Sequence, residues 1–155
     1  MNYKPSERIK SLGLKLPPAP PPAGLYKPVL ETDGYLYISG QGPMKEDGTY
    51  ITGRLGDTMD LSQGKLAAEQ VGLTMLATIR EHFGDIDRIE RLVKTLGMVN
   101  STAEFDQHPL VINGFSELMA DVFGIEHGVG ARSAVGMVLP GQVAVEIEAI
   151  FKLRS

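Results

Sequence analysis

An α+β fold, with one mixed sheet and two helices packed on one of its faces, is what this sequence predicts, on three observations. Residues 61–83 and 109–123 repeat apolar side chains at helical spacing. Residues 26–32, 35–41, 89–100, 132–139 and 143–153 are short runs rich in Val, Ile, Leu and Tyr, as strands are. The two kinds interleave, with strands before, between and after the helices. At 155 residues and 43% hydrophobic composition, the chain is sized for one core.

Taken in order, residues 6–16 read as a short helix, after which Pro17, Pro18, Pro20, Pro21 and Pro22 impose an extended path. Residues 1–23 therefore form an N-terminal arm, expected to wrap the surface or a neighbouring subunit, and residues 24–155 form the domain. Strands 26–32 and 35–41 are joined by Asp33-Gly34, a strong two-residue hairpin signal. Gly42-Pro43 ends the second strand, and residues 49–54 are expected to add a short third.

In the helix at 61–83, Ala67, Ala68, Val71, Met75, Leu76, Ile79 and Phe83 fall on one face, opposite Glu69, Gln70, Thr74, Arg80 and Glu81. Gly84 stops it. The strand at 89–100 is apolar on both sides, Val93 and Val99 on one and Leu92, Leu96 and Met98 on the other, which places it inside the sheet. Pro109 suits the first turn of the second helix, whose apolar stripe is Val111, Phe115, Leu118 and Val122. Two strands then follow, separated by Pro140-Gly141.

Fifteen Lys and Arg against nineteen Asp and Glu give a net charge of -4, with no basic run to attract nucleic acid. The absence of cysteine removes disulfides, thiol nucleophiles and thiolate metal sites, which suits a reducing compartment. No signal peptide or bilayer-length apolar stretch is present, so a cytoplasmic protein without membrane partners is expected. His82, His108 and His127 lie near helix ends without metal-ligand spacing, and no metal or cofactor is expected. Ser39 and Ser133 have no evident activating base.

The last two strands hold the remaining candidates. In 143–153, Val143, Val145, Ile147, Ala149 and Phe151 share one face, and Glu146 and Glu148 lie on the other. Arg132 lies near them if its strand pairs with the last one around Pro140-Gly141. From spacing alone, an Arg–Glu pair on a solvated sheet face is the simplest reading.

The combination of Tyr26, Ile38-Ser39-Gly40-Gln41, Ala131-Arg132-Ser133-Ala134-Val135 and Val145-Glu146-Ile147-Glu148-Ala149 resembles the RidA/YjgF family, also called endoribonuclease L-PSP or reactive-intermediate deaminases. The resemblance runs from about Gly24 to the C-terminus. The arm and the segment beginning at Asn113 are similar to its chorismate-mutase-like branch.

The resemblance implies a chorismate-mutase-like fold assembled as a homotrimeric barrel, with helices outside and ligand clefts between subunits. It also implies an enzyme, a hydrolase of the 2-iminobutyrate/2-iminopropanoate deaminase type, converting small 2-imino acids to 2-keto acids and ammonia. Arg132 then grips the substrate carboxylate, Glu146 positions or activates the attacking water, and Tyr26, Ser39, Gly40 and Asn113 line the cleft. Ala134 stands where many close members carry cysteine. Two other readings accompany the first: a non-catalytic trimer that binds small carboxylates or keto acids, and an endoribonuclease or translation inhibitor, which the acidic balance does not favour.

Overall fold

A computed structural model describes residues 4–155; the first three residues of the arm lie outside the described part. Its regular elements are α1 (Pro5–Ser11), β1 (Val29–Thr32), β2 (Tyr35–Gln41), α2 (Leu61–His82), β3 (Ile89–Asn100), α3 (His108–Phe123), α4 (Ile125–Gly128), β4 (Ala131–Met137) and β5 (Val145–Leu153). The five strands form one sheet in the order β1-β2-β5-β3-β4. β3 and β4 are parallel, and every other neighbouring pair is antiparallel.

Helices α2 and α3 cover one face. The core between them and the sheet holds Leu36, Val99, Ile147 and Phe151 below, with Val71, Met75, Ile79, Phe115 and Met119 above, all fully buried. Each fully buried apolar side chain of this size contributes about 1.5–3 kcal/mol. The two helices approach closely because Gly114 lets α3 rest on the Lys65 carbonyl of α2, and Gly72 makes room for Leu118.

Local chemistry explains the element ends. Asp33 and Gly34 both have positive φ, 51° and 78°, which is the geometry a tight hairpin demands and which these residue types tolerate. Asp60 caps α2: its carboxylate accepts from the Gln63 N–H at 2.9 Å, and the Gln63 side chain accepts from the Asp60 N–H at 2.9 Å. Such a box is worth about 1 kcal/mol.

Four expectations are corrected. The first helix stops at Ser11, because Gly13 takes a left-handed conformation. Strand β1 begins at Val29, past Pro28, and not at Tyr26. Residues 49–54 make isolated bridges, Met44 to Tyr50 and Thr52 to Val143, instead of a strand. Their N–H groups go to separate partners, Ile51 to the Pro43 carbonyl and Gly53 to that of Gln142.

The fourth correction concerns β3, where a register shift between Leu92 and Lys94 breaks the alternation. Leu92 consequently shares the helix side with Thr95, Gly97 and Val99, all buried, while Lys94, Leu96 and Met98 take the open side.

The arm packs on its own chain. Ser6 donates its N–H and hydroxyl to Asp87, at 2.8 and 2.6 Å, and Arg8 donates to the Asp121 carbonyl at 2.9 Å. Residues 17–22 lie against Ala77, Arg80 and His82 at the end of α2.

Candidate functional site

Arg132 lies on β4 directly across from Thr95 of β3, on the side facing α3. Its Nη1 donates to Ser116 Oγ at 3.0 Å and its Nη2 to the Pro109 carbonyl at 2.9 Å, so the first and third turns of α3 hold the guanidinium. Burial pulls that guanidinium below its ordinary value, but an arginine stays charged. Two of its five N–H donors are engaged, leaving the others for a ligand. Beside it lies a cavity of about 220 Å³ with Asn113, Ser116 and Thr95 as further polar lining and Leu92 and Val129 as apolar wall. Ala134 follows Arg132 on the same side of β4.

Glu146 belongs to a second cluster, on the open side of the sheet. A bulge in β2 between Ile38 and Gln41 turns both of those side chains into the core, where the Thr78 hydroxyl donates to Gln41 Oε1 at 2.7 Å. Ser39 and Gly40 are thereby left together on the opposite side. The Glu146 carboxylate occupies the space a Cβ at Gly40 would need, so a larger residue there would force the Glu146 side chain to shift. Burial, and then the neighbouring charge of Glu148, hold the Glu146 carboxyl above its ordinary value.

Next to Gly40, the Ser39 hydroxyl donates to the Lys27 carbonyl at 2.7 Å, and the half-exposed Tyr26, which precedes Lys27, accepts from the Ala23 N–H at 3.0 Å.

Tyr50 joins this second cluster and was not singled out from the sequence. A Cβ on Gly42 would lie 3.0 Å from its ring. Burial and then the nearby Tyr26 raise its phenol above the usual value. The only sequence signal for it is the Gly40-Gln41-Gly42 spacing, two gaps on one side of a strand edge that larger side chains must fill.

The predicted site residues therefore divide: Arg132 and Asn113 in one cluster, Tyr26, Ser39, Gly40 and Glu146 in the other. The expected pairing around Pro140-Gly141 does not occur. Strand β3 lies between β4 and β5, because α3 carries the chain over and returns it parallel to β3. Arg132 is level with Thr95 and Ala149, whereas Glu146 is level with Met98. Two strand spacings and three residues of rise put their Cα atoms roughly 14 Å apart, with side chains on opposite faces.

A Ser–His pair also escaped the sequence reading. Ser101 Oγ lies 3.0 Å from His108 Nε2, and the His108 ring meets Phe105 edge-on at 5.2 Å. Gly136 of β4 leaves the space that this pair fills. Among the described residues no carboxylate bonds the other imidazole nitrogen, so the pair staples the start of α3 and lacks the third member of a nucleophilic triad. Among the same residues, no cluster of three His, Asp or Glu side chains is arranged to hold a metal. Among the described residues, no helix is long and apolar enough to cross a membrane.

The open face of the sheet is unusually apolar for a solvated surface. Leu30, Tyr35, Tyr37, Val135 and Met137 are all exposed on it. A hollow of about 520 Å³ is lined by Leu30 and Tyr37 among them and flanked by Lys27, Lys94 and Glu148. Lys94 Nζ donates to Ser133 Oγ at 3.2 Å across β3 and β4.

A family described as "YjgF/chorismate mutase-like, putative endoribonuclease" matches residues 6–143 of this chain. The match begins inside the arm. Protein TCP17 of Trypanosoma cruzi is 38% identical over 148 residues, covering 95% of this chain and 92% of that protein. The crystal structure of Atu1372 from Agrobacterium tumefaciens superposes with a TM-score of 0.87 at 40% identity, covering 97% of this chain and 92% of its own. That of an endoribonuclease, so named as putative, from Shewanella oneidensis MR-1 gives 0.90 at 27% identity, covering 97% and 99%. The chain belongs to the YjgF/chorismate mutase-like family, the family of the RidA and L-PSP proteins. Coverage of 97% by the two structures takes in nearly all of the arm, which is thus a feature shared with those two proteins.

Proposed function

We propose that this protein is an imine/enamine deaminase, hydrolysing small 2-imino acids to 2-keto acids and ammonia at sites shared between subunits of a homotrimer. The observation that carries the reading is the division of the site. Arg132 with Asn113 faces α3 from one edge of the sheet, and Glu146 with Tyr26, Ser39 and Gly40 faces the other way. One small ligand meets both halves only if a second copy supplies one of them. The exposed apolar side chains of the open face supply a reason for copies to associate.

In the proposed reaction, Arg132 binds the substrate carboxylate through its unused N–H donors, a task suited to a planar, permanently charged fork. Glu146 accepts a proton from water as the oxygen adds to C2 of the imine, and the imine nitrogen is protonated. The resulting carbinolamine collapses, the C–N bond breaks, ammonia leaves and the C2–O bond becomes a carbonyl. Overall, one imino acid and one water give one keto acid and one ammonia. The elevated Glu146 carboxyl makes the ionised group a better proton acceptor than an ordinary surface glutamate.

Formation of 2-iminobutyrate in situ, with semicarbazide trapping the remaining imine, tests the reading. The wild type is expected to suppress semicarbazone formation. Arg132→Ala is expected to weaken the substrate term about 10- to 100-fold, the loss of a charge-assisted contact. No acceleration by the wild type with short 2-imino acids sinks the proposal.

A further inference from the structure

The cavity beside Arg132 contains a polar group to which neither the fold nor the resemblance gives a role. Thr95 is 2% exposed and lines the cavity, and among the described residues no side-chain hydrogen bond engages its hydroxyl, which is open to the cavity and not sealed in the core. Its backbone is satisfied by pairing on both sides, with β4 through Arg132 and with β5 through Ala149. A hydroxyl at a cavity wall is free to bond a ligand that enters the cavity. Ser116, on the facing helix, is already taken as an acceptor by Arg132. Asn113, one turn earlier on α3, likewise has an amide with no partner among the described residues. The wall beside these groups is Leu92 and Val129, so the cavity is polar on one flank and apolar on the other.

We infer that Thr95 is a specificity-determining residue, whose hydroxyl selects carboxylates bearing a hydrogen-bonding atom at C2 over plain aliphatic carboxylates. The inference rests on the reading of Arg132 as the carboxylate anchor and goes further, by assigning the recognition of the neighbouring carbon. Because Thr95 and Arg132 are directly paired across adjacent strands, roughly 5 Å apart at Cα, a ligand held by the guanidinium passes over the threonine within one or two bonds of its carboxylate. The hydroxyl both donates and accepts, so it serves an oxo group as donor and an imine N–H as acceptor. A short alkyl tail then has Leu92 and Val129 to rest on. A ligand with only methylene at C2 leaves the hydroxyl unpaired against a carbon, and that mismatch is what discriminates.

The test is calorimetric titration of the full-length protein with 2-oxobutyrate and with butyrate, alongside Thr95→Val and Thr95→Ser. Wild type is expected to prefer 2-oxobutyrate at least about tenfold. Thr95→Val, which keeps the shape and removes the hydroxyl, is expected to bring that ratio near unity while butyrate binds as before, and Thr95→Ser to restore it. Matching thermal melts and native masses of the variants show that folding and assembly are intact. An unchanged ratio in Thr95→Val, equal loss of both ligands, or a wild type that does not distinguish them overturns the inference. Binding is read apart from turnover: selective binding without imine hydrolysis upholds Thr95 and defeats the deaminase reading, whereas hydrolysis with no selectivity does the reverse.

Discussion

Glu146 combines a burial that costs stability with a proton affinity that a general base requires. Its carboxyl is held up first by desolvation and second by Glu148, so the ionised form is disfavoured in the fold. If Glu146 is the base, activity falls as pH drops through its raised value, because the proton then blocks the acceptor. Glu148→Gln removes the second cause, and the acid limb of kcat/KM is expected to move to lower pH while the plateau remains. A profile that stays in place counts against Glu146 as the titrating group. Glu146→Gln is expected to lower kcat about 10²- to 10⁴-fold, the usual worth of general-base catalysis. The same group sets the sign of a stability effect. A carboxyl raised in the folded state binds protons more tightly there than in the unfolded chain, so its contribution falls as pH rises from the ordinary to the raised value. The melting temperature of Glu146→Gln relative to wild type is therefore expected to rise across that window and to level off above it.

At the scale of elements, the helix layer depends on a contact that side chains do not make. Gly114 of α3 rests on the Lys65 carbonyl of α2, and a methyl group there collides with backbone, which has no rotamer to yield. Gly114→Ala is expected to lower unfolding free energy by about 1–3 kcal/mol in urea titrations, the usual cost of overpacking. A destabilisation below a few tenths means that the helices slide apart freely. The sequence displayed α2 and α3 through their apolar stripes, and the Asp33-Gly34 hairpin through its residue types, because these signals are local. It did not display the β3 bulge, which reverses the side on which Leu92 lies, since one extra residue leaves no compositional mark. Nor did it reveal that β3 separates β4 from β5. The turn at Pro140-Gly141 suggested a hairpin, and the competing parallel pairing of β4 with β3 is a long-range contact that only the crossover through α3 settles. The family resemblance thus named Arg132 and Glu146 as candidates, whereas their separation and the placement of Thr95 and Tyr50 depend on registers and a bulge that no motif encodes.

For the whole molecule, the proposal of a site shared between subunits is open to a direct count. Consider Arg132→Ala and Glu146→Gln, each assayed at low substrate, where each alone is expected to keep at most about a tenth of the wild-type rate because every cleft lacks one group. If each cleft takes Arg132 from one subunit and Glu146 from its neighbour, mixed trimers regain clefts with both groups intact. With random mixing in equal amounts, a given cleft has its arginine side from an unaltered donor about half the time, and its glutamate side independently about half the time. Roughly a quarter of the clefts are then restored, as cyclic symmetry requires. The expected result, after unfolding and refolding the two variants together, is about one quarter of the wild-type rate of imine loss at low substrate, against about a tenth or less for either variant refolded alone. The native mass of the mixture should be that of three chains. If both groups acted within one chain, mixing would restore nothing, because every chain carries one lesion. A charged substitution on the open sheet face, Val135→Lys, addresses the same premise from the other side. Val135 is exposed on an edge strand and far from the core, so the fold tolerates the lysine while the association of apolar faces does not. Monomers that retain the helical signature of the parent but neither bind 2-oxobutyrate tightly nor hydrolyse imines are the expected product, and a fully active monomer would place the whole reaction inside a single chain.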